Sequence, residues 1–347
     1  MKQIRLVTAL CALMFLTIFK AEAMYKMDFD ISIGNYQLQI LDKVTVETSQ
    51  ELLSDSCRIS IPGMVANVAI QMEDRIKRGD VVTVKLGYDG ALETEFKGYL
   101  KAIYPGSPMV LECEDSVYLF RKDIKSKILK NATVKTILQY VLNEVNPQLS
   151  TPFKLVSDLS NDSYKWDSFV IHNATAFEVL DKLRQDSGLM IYARDNELHY
   201  HLAYTQKAGE VIYDFAVNIE DTDDLKYVVA ADAKVKINVV GKTSKGAKIE
   251  VHSGEAGGDE RTIQRPTISD KTTLENIAKQ ERLKLTYDGY RGDIRGWLIP
   301  YCTTGYSAKI RDEEYPARAG TYYVQGTKVE FSKAGGVRIV SLGGRLS

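Results

Sequence analysis

The sequence lacks the residue patterns that most readily indicate catalysis. Among its 347 residues no C-x-x-C pair, H-E-x-x-H helix, G-x-S-x-G elbow, P-loop or dinucleotide fingerprint occurs. These absences argue against zinc ribbons, zincin proteases, α/β-hydrolases, P-loop NTPases and Rossmann dehydrogenases. We therefore predict no catalytic residue, no cofactor and no metal site. A glycosidase is not excluded, because its two carboxylates are related in space and not in sequence.

An excess of either charge is also missing. The chain carries 45 basic and 46 acidic residues, for a net charge of −1. Because such a balance offers no broad basic field to hold a phosphate backbone, we expect no sequence-specific nucleic-acid partner. The hydrophobic content of 44% and charged content of 26% are ordinary for a globular protein. The length indicates about two or three domains.

Cysteine and histidine are scarce and dispersed. The four cysteines are far apart along the chain, which favours buried, reduced thiols over a disulfide or a metal site: Cys11, Cys57, Cys113 and Cys302. His199 and His201, in "LHYHL", would lie on one face of a strand. No third ligand is suggested nearby, so we interpret them as a structural pair.

Two short acidic clusters remain as candidate sites. In "IEDTDD" the carboxylates of Asp221, Asp223 and Asp224 could bind a cation, but the glycine and distal glutamate of an EF-hand loop are missing. The second cluster, "RDEEY", spans 311–315. Short charge runs of this kind are typical of solvated loops, which is the interpretation we favour for both.

Residues 1–23 form an apolar leader. Lys2 and Arg5 precede an apolar run over 6–19, and Ala21-Glu22-Ala23 resembles an A-x-A cleavage site. By form this is a secretory signal peptide, too short for a comfortable membrane-spanning helix, so we expect no stable membrane insertion. The alternative is a start codon assigned too early, with translation beginning at Met24.

The rest of the chain predicts a mainly β fold with an α+β insert. Residues 24–125 read as short strands separated by turns, with a hairpin at Asp89-Gly90, and predict a first barrel-like domain of antiparallel strands. Residues 126–205 predict a small α+β module. Residues 206–347 return to strands, with one helix at about 271–285, and predict a second barrel-like domain. The Gly-rich stretch 253–271 is expected to be a surface loop.

Three helices have recognisable starts. Asn131-Ala-Thr133 and Asn173-Ala-Thr175 are N-x-T sequons, but each directly precedes an apolar helical pattern, which favours helix capping. Thr175 and Glu178 have capping-box spacing, and so do Thr272 and Glu275. Gly188 is expected to end the second helix, and Asp195-Asn196 to turn the hairpin after it.

The chain closes with a predicted β-hairpin, "GTYYVQGTKVEFSKAGGVRIVSLG", over 320–343. Alternating residues flank "KAGG", where Gly335 and Gly336 are expected to set the turn. The hairpin contains no cysteine, no histidine and no obvious nucleophile, so its purpose is expected to be structural.

This C-terminal stretch resembles the end of the phage late-control D and VgrG tail-hub family. The family's short helix is followed by a "pG" element, a "G.Y.V..V.H.F" strand, a glycine turn and a last strand. The matching positions are Pro316 to Gly320, Tyr322 or Tyr323, Val324, Val329, Phe331, Gly335-Gly336 and Leu342. Glu330 stands where the family usually has histidine.

Two further stretches resemble the same family, in the same order. "IKRGDVVTVKLGYDGALETEFKGYLKAI", with Gly98-Tyr99-Leu100 near its end, is similar to the family's "GD.V.V..GY.G....F.GyI..I" strand pair. "ATAFEVLDKLRQDSGLMIYARDNELHY" is similar to its "T..e.L..La...G......g..l.f" module. The resemblance covers nearly everything after Met24.

The resemblance implies a baseplate hub with two barrel-like tube domains around the α+β module. Such hubs form homotrimers whose ring joins the tail tube to a central spike, so the implied partners are further copies of the chain, a spike protein, and tail tube or tape-measure proteins. The implied location is the virion tail baseplate, assembled in the bacterial cytoplasm. If the leader is a true signal peptide, the alternative is an exported β-rich surface or periplasmic binding module, or a hydrolase. We expect protomer contacts beside Asp80–Leu86 and Thr321–Phe331, as exposed strand edges.

Overall fold

The computed structural model describes residues 25–65, 68–69, 75–157, 159, 164–202, 208–220, 224–230, 234–243, 245–255, 257–266 and 268–346. The leader, 1–23, lies outside these ranges. No helix in the described part of the chain has the length and apolar character needed to cross a membrane.

The N-terminal region consists of strands and one 3₁₀ turn. The strands are β1 (Met27–Ile33), β2 (Tyr36–Gln37), β3 (Lys43–Ser49), β4 (Ser56–Ile61), β5 (Met64–Val65), β6 (Val68–Ala69), β7 (Val81–Tyr88), β8 (Ala91–Tyr104) and β9 (Met109–Glu114). The 3₁₀ turn follows at Ser116–Phe120. The predicted hairpin at Asp89-Gly90 is confirmed, with φ of 50° and 82° joining β7 to β8.

The middle region alternates strands and helices. Its elements are β10 (Lys127–Thr133), α1 (Val134–Val145), a 3₁₀ turn (Asn146–Gln148), β11 (Lys154–Val156), β12 (Lys165–Ile171), α2 (Ala176–Ser187), β13 (Met190–Arg194) and β14 (Glu197–His201). Thr133 and Thr175 accept hydrogen bonds from the Thr136 and Glu178 amides, so the prediction that both sequon threonines cap helices is confirmed.

The C-terminal region contains the remaining elements. These are β15 (Glu210–Asp214), β16 (Lys226–Val228), β17 (Val235–Lys242), β18 (Lys248–Gly254), β19 (Asp259–Arg265), α3 (Lys271–Leu283), β20 (Gly289–Trp297), β21 (Ser307–Arg311), a 3₁₀ turn (Pro316–Arg318), β22 (Gly320–Ser332) and β23 (Gly335–Arg345).

Three local predictions in this region are wrong. Part of the expected surface loop 253–271 is strand β19, because its backbone pairs in parallel with β17. The second capping box is replaced by Asp270, whose carboxylate accepts the Thr273 amide at 2.7 Å. In the final hairpin Ser332 pairs with Gly335, so Lys333 and Ala334 occupy the turn in place of the two glycines.

The first barrel-like domain is a curved run of strands in the order β22–β3–β4–β9–β8–β7–β1. The two ends of this run approach each other, since the rings of Phe29 in β1 and Phe331 in β22 lie 6.4 Å apart. Inward side chains from all seven strands form one apolar core, including Ile31, Val46, Ile59, Val84, Leu100, Leu111 and Val329. The sheet therefore encloses this core.

The second barrel-like domain has the order β16–β20–β23–β22–β21–β15. Its ends also meet: the Glu220 amide, beyond β15, donates to the Arg295 carbonyl of β20 at 2.8 Å. Its core includes Tyr213, Ile294, Ile310, Val324 and Val340. The pairing is antiparallel except between β15 and β21, which run in parallel. The predicted mainly β fold with an α+β module is confirmed.

The third apolar core belongs to the α+β module. Helices α1 and α2 pack with β10–β14 around Trp166, which is fully buried. The same core takes in Ile237 and Val239 of β17 and Leu274 and Ile277 of α3. Packing thus groups about 235–285 with the module, although the chain order places this stretch inside the second barrel. The domain boundaries at 125/126 and 205/206 stay predictions.

Candidate assembly site

Strand β22 is shared by the two barrels. Its first part, Gly320–Tyr323, pairs with β21, and its last part, Gly326–Ser332, pairs with β3. Strand β23 accompanies it on the other side, with two register irregularities between Tyr322 and Gly326. These irregularities coincide with the change of partner, as expected of bulges that bend a strand. The final hairpin is therefore a structural joint between the barrels.

The expected strand edges are not edges. Strand β7, which contains most of Asp80–Leu86, is paired with β1 on one side and β8 on the other. Strand β22, which contains Thr321–Phe331, is likewise paired on both sides. The sequence could not show this, because pairing between β22 and β3 joins residues almost 300 positions apart. Backbone groups of these strands are thus not available for pairing with another chain.

A buried ion pair crosses the joint. Arg338 of β23 donates through Nη2 to Oε1 of Glu95 at 2.6 Å and through Nη1 to Oε2 at 3.1 Å. The side chains are only 1% and 3% exposed. Arg338 also donates to the carbonyls of Leu298 and Cys302, at 3.0 Å and 2.8 Å. A bidentate pair with further carbonyl acceptors is the geometry in which a buried charge is tolerated.

Burial and pairing act on these two charges in opposite directions. Burial raises the pKa of Glu95, and the Arg338 guanidinium only partly offsets it. Burial acts to lower the pKa of Arg338, but the Glu95 carboxylate outweighs it and the net pKa is raised. Arg338 therefore stays charged, and the pair holds the second barrel against β8 of the first.

Tyr88 makes a second connection between the barrels. Its hydroxyl accepts the Leu298 amide at 3.2 Å and donates to the Gly336 carbonyl at 3.2 Å. Tyr88 is the last residue of β7. Leu298 directly follows β20, and Gly336 is the second residue of β23. Polar contacts therefore join the barrels at the hairpin turn.

An exposed aromatic surface lies beside this contact. The ring of Tyr25 lies 5.5 Å from that of Tyr88 and 5.9 Å from that of Trp297. Tyr25 and Trp297 remain 47% and 44% exposed. Together with the turn residues Lys333 and Ala334 and the first two residues of β23, these three residues line an open cavity of about 540 Å³. We call Tyr25, Tyr88 and Trp297 the seam patch.

An acidic pair lies where all three units meet. Asp115 accepts hydrogen bonds from the amides of Val117 and Asp55, each at 2.9 Å, and from Ser54 Oγ at 2.9 Å. Asp115 thereby caps the 3₁₀ turn at Ser116–Phe120. Both carboxylates line a small cavity of about 40 Å³, together with Arg194 of the module and Tyr323 of the joint.

Burial perturbs both carboxyl groups. Burial raises the pKa of Asp115 to about 8, helped by the neighbouring charge of Asp55. Burial also raises the pKa of Asp55, to about 6, while the positive charge of Arg194 opposes the rise. The pair therefore holds a proton at neutral pH. Among the described residues, no group of three or more His, Cys, Asp or Glu side chains is arranged around this pair to hold a metal ion.

The histidines and cysteines singled out in the sequence lie in packed parts of the fold. His199 and His201 do share a face of β14, with Nδ1 and Nε2 3.4 Å apart, and Tyr192 stacks on His199 at 4.8 Å. Burial lowers the pKa of His199. Cys57, Cys113 and Cys302 are free and buried, as predicted, whereas Cys11 lies outside the described residues.

The structure describes only one of the two acidic clusters in full. Asp221 and Asp223 lie outside the described residues, so cation binding there is untested. Asp312, in the "RDEEY" run, is 8% exposed and accepts hydrogen bonds from the Tyr290 hydroxyl and the Tyr315 amide. No group of three or more His, Cys, Asp or Glu side chains among the described residues is arranged to hold a metal ion.

Sequence reasoning missed Arg338, Glu95, Asp55, Asp115 and Tyr88. Charged residues inside otherwise alternating strands are the only local sign of such a buried pair. Arg338 in "GGVRIVSL" replaces an apolar residue at an inward position. The partner of such a charge could not be read from the sequence, because Glu95 lies in another domain.

Comparison with solved structures places this fold among phage tail and secretion proteins. A 43 kDa tail protein of prophage MuSo2 from Shewanella oneidensis matches with a TM-score of 0.63 and 17% identity, covering 91% of this chain and 98% of that one. A tail protein from Neisseria meningitidis MC58 matches with a TM-score of 0.62 and 13% identity, covering 92% and 97%.

A type VI secretion system component from E. coli has the same fold. It matches with a TM-score of 0.58 and 10% identity, covering 91% of this chain and 77% of that one. No family model matches the chain, and no curated protein matches its sequence. At these identities the likeness establishes the fold, which this chain shares over more than nine-tenths of its length.

Proposed function

We propose that the chain is a structural hub protein of a phage tail or a related contractile injection apparatus. The observation that carries the proposal is the shared strand β22, which makes one thirteen-stranded sheet out of both barrels. A sheet continuous through two barrels transmits load without a flexible linker. Such a rigid connection suits a protein that forms part of a ring wall. It suits a hydrolase less well, because the cleft of a hydrolase has to move to admit substrate.

The likeness to two tail proteins, one of them from a prophage, over nearly their whole length supports the same role. The protein would assemble as a homotrimer, because closed rotational symmetry gives each protomer the same contacts and leaves no open end. Its central partners would be a spike protein on one side, and tail tube or tape-measure proteins on the other. Assembly would take place in the bacterial cytoplasm, with the product in the tail baseplate.

The seam patch is the surface we assign to contact between protomers. Exposed tyrosine and tryptophan at one place are enriched in protein interfaces. The net charge of −1 creates little long-range repulsion between copies. Contact at the seam would bury the entrance to the 540 Å³ cavity.

Mass measurement by light scattering over a concentration series tests the assembly. The full chain should form trimers, alone or with its spike partner, and Trp297→Glu should shift the population towards monomer. Ile128→Glu is the matched control, because Ile128 is 61% exposed on β10 of the module, away from the seam. A protein that stays monomeric at high concentration with spike protein present contradicts the proposal.

Cell fractionation of natively expressed protein, combined with sequencing of the N-terminus in each fraction, tests the alternative of an exported binding module. A cytosolic product beginning at Met24 contradicts export, and a product beginning at Met24 in the periplasm supports it. The two outcomes differ in cell fraction and not in mass, because cleavage after Ala23 also leaves Met24 first.

A further inference from the structure

Two buried polar atoms without a hydrogen-bond partner belong to the lining of one cavity. In the described part of the chain, Oε1 of Gln50 and Nε of Arg265 are both buried and both unpartnered. The two residues line the same open cavity, which has a volume of about 410 Å³. Because a buried donor or acceptor without a partner is costly, such a pair at one cavity points to a ligand with the complementary groups.

Three parts of the fold build the walls of this cavity. Gln50 and Glu51 follow β3 of the first barrel, and Arg184 lies in α2 of the module. Arg265 is the last residue of β19, and Lys284 directly follows α3. The volume lies within the range of about 300–1,000 Å³ that is usual for small-ligand sites. The cavity is therefore large enough for a small ligand or for one side chain of a partner.

Arg265 presents a free edge of its guanidinium group. Its one hydrogen bond to the described residues runs from Nη1 to the Gln264 carbonyl at 3.0 Å. Nε and Nη2, the two donors on the other edge, are left for a ligand. This edge matches the two oxygens of a carboxylate and can donate two parallel hydrogen bonds to them. Burial lowers the pKa of Arg265, but an arginine keeps its charge at neutral pH.

The other two cations of the cavity already have partners. Arg184 pairs through Nη2 with Asp181 at 2.9 Å, and its Nη1 donates to the Glu51 carbonyl. Lys284 pairs with Glu281 at 2.8 Å. Among the described residues that line the cavity, Arg265 is thus the cation without an ion pair. The carboxylates of Glu51 and Glu281 would repel a doubly charged phosphate more strongly than a singly charged carboxylate.

We propose that this cavity binds a singly charged carboxylate group with a hydrogen-bond donor beside it. The Nε–Nη2 edge of Arg265 holds the carboxylate, and Oε1 of Gln50 accepts from the neighbouring donor. Two sources offer this chemistry: a free small acid, or an acidic side chain of a second copy of this chain. The inference does not rest on the proposed function.

N-acetylglycine is the probe for the test, because it carries one carboxylate and one amide N–H. Saturation-transfer NMR titrations on the full wild-type chain measure its Kd. N-acetylglycinamide has nearly the same shape but no charge, so it should bind about tenfold more weakly or less. The proposal is overturned if the amide binds as tightly as the acid, or if inorganic phosphate at pH 8 binds more tightly.

Substitutions in the cavity assign the contacts. Arg265→Gln removes the charge and Arg265→Lys removes the planar fork, so each should raise the Kd of N-acetylglycine about tenfold. Gln50→Met should abolish the advantage of N-acetylglycine over acetate. Arg261→Gln is the matched control and should bind as wild type, because Arg261 is an exposed residue of the same strand, paired with Asp259. An Arg265→Gln protein with a wild-type circular dichroism spectrum and a wild-type Kd overturns the proposal.

Light scattering with saturating N-acetylglycine distinguishes the two sources. If the occupant is a side chain of a second copy, the free acid competes for the cavity and the mean mass falls towards that of the monomer. If the occupant is a free acid, the mass is the same with and without N-acetylglycine. Arg265→Gln should reproduce the first result without the probe if the occupant is a second copy.

Discussion

At the scale of residues, the stability of the joint between the barrels depends strongly on one buried charged side chain. From β23, Arg338 donates five hydrogen bonds to Glu95, Leu298 and Cys302. A buried charge of this kind stabilises the fold only while its partner is present, since an isolated charge in an apolar interior is expensive.

Arg338→Met should therefore lower the free energy of unfolding by about 3–5 kcal/mol, because it leaves the Glu95 carboxylate buried without a partner. Urea unfolding at neutral pH measures the change. The double variant Glu95→Leu with Arg338→Met should recover most of the loss, since no unpaired charge remains. A double variant as unstable as Arg338→Met alone would show that packing dominates at this position.

Asp115 predicts a pH dependence of stability. Its pKa is raised by burial from 3.8 to about 8, so the folded protein keeps a proton that the unfolded chain releases. The free energy of unfolding should accordingly fall as the pH rises from 6 to 8, by up to about 1.4 kcal/mol per pH unit. Urea unfolding across this range measures the slope.

Asp115→Asn removes the titration and keeps an oxygen to cap the 3₁₀ turn, so the fall between pH 6 and 8 should flatten. Asp167→Asn, on the exposed face of β12, is the matched control and should leave the slope unchanged. If the Asp115→Asn protein retains the wild-type slope, another group is responsible.

At the scale of elements, local sequence determined what could be predicted. Both capped helices, the Asp89-Gly90 turn and the final hairpin follow from neighbouring residues, and all are present. Pairings between distant segments could not be predicted: β22 with β3, β17 with β19, and Arg338 with Glu95. Such contacts depend on loop closure and on shared cores, which leave no periodic pattern in either partner alone.

Helix α2 offers a test of local stabilisation. Thr175 forms a full capping box, in which Oγ1 accepts the Glu178 amide at 3.2 Å and the Thr175 amide donates to Glu178 Oε2 at 2.7 Å. Thr175→Ala should cost about 1 kcal/mol in the free energy of unfolding. Ser168→Ala, at an exposed position of β12, should change stability by less than about 0.5 kcal/mol. Equal effects from the two variants would contradict the role of the cap.

At the scale of the whole molecule, the shared strand predicts joint unfolding of the two barrels. Phe331 comes from the C-terminal hairpin but packs in the core of the first barrel, where it is 2% exposed. Phe331→Ala should lower the free energy of unfolding by about 3–5 kcal/mol. Pulsed thiol labelling in urea, under reducing conditions, measures both barrels at once.

Cys57 and Cys113 report on the first barrel in this experiment, and Cys302 on the second. All three labelling midpoints should move together to lower urea concentration. If Cys302 keeps its wild-type midpoint, the barrels unfold independently. Ile128→Ala, exposed on the module, should leave the midpoints in place.

The position of β22 in the chain also constrains synthesis. Val44 and Val46 of β3 are made early, but their neighbours Val329 and Phe331 leave the ribosome nearly 300 residues later. The first barrel therefore cannot complete its core until translation is nearly finished. Until then the apolar side chains of its early strands lack their partners from β22. A delay near the end of translation therefore leaves the part of the molecule that was made first exposed to aggregation.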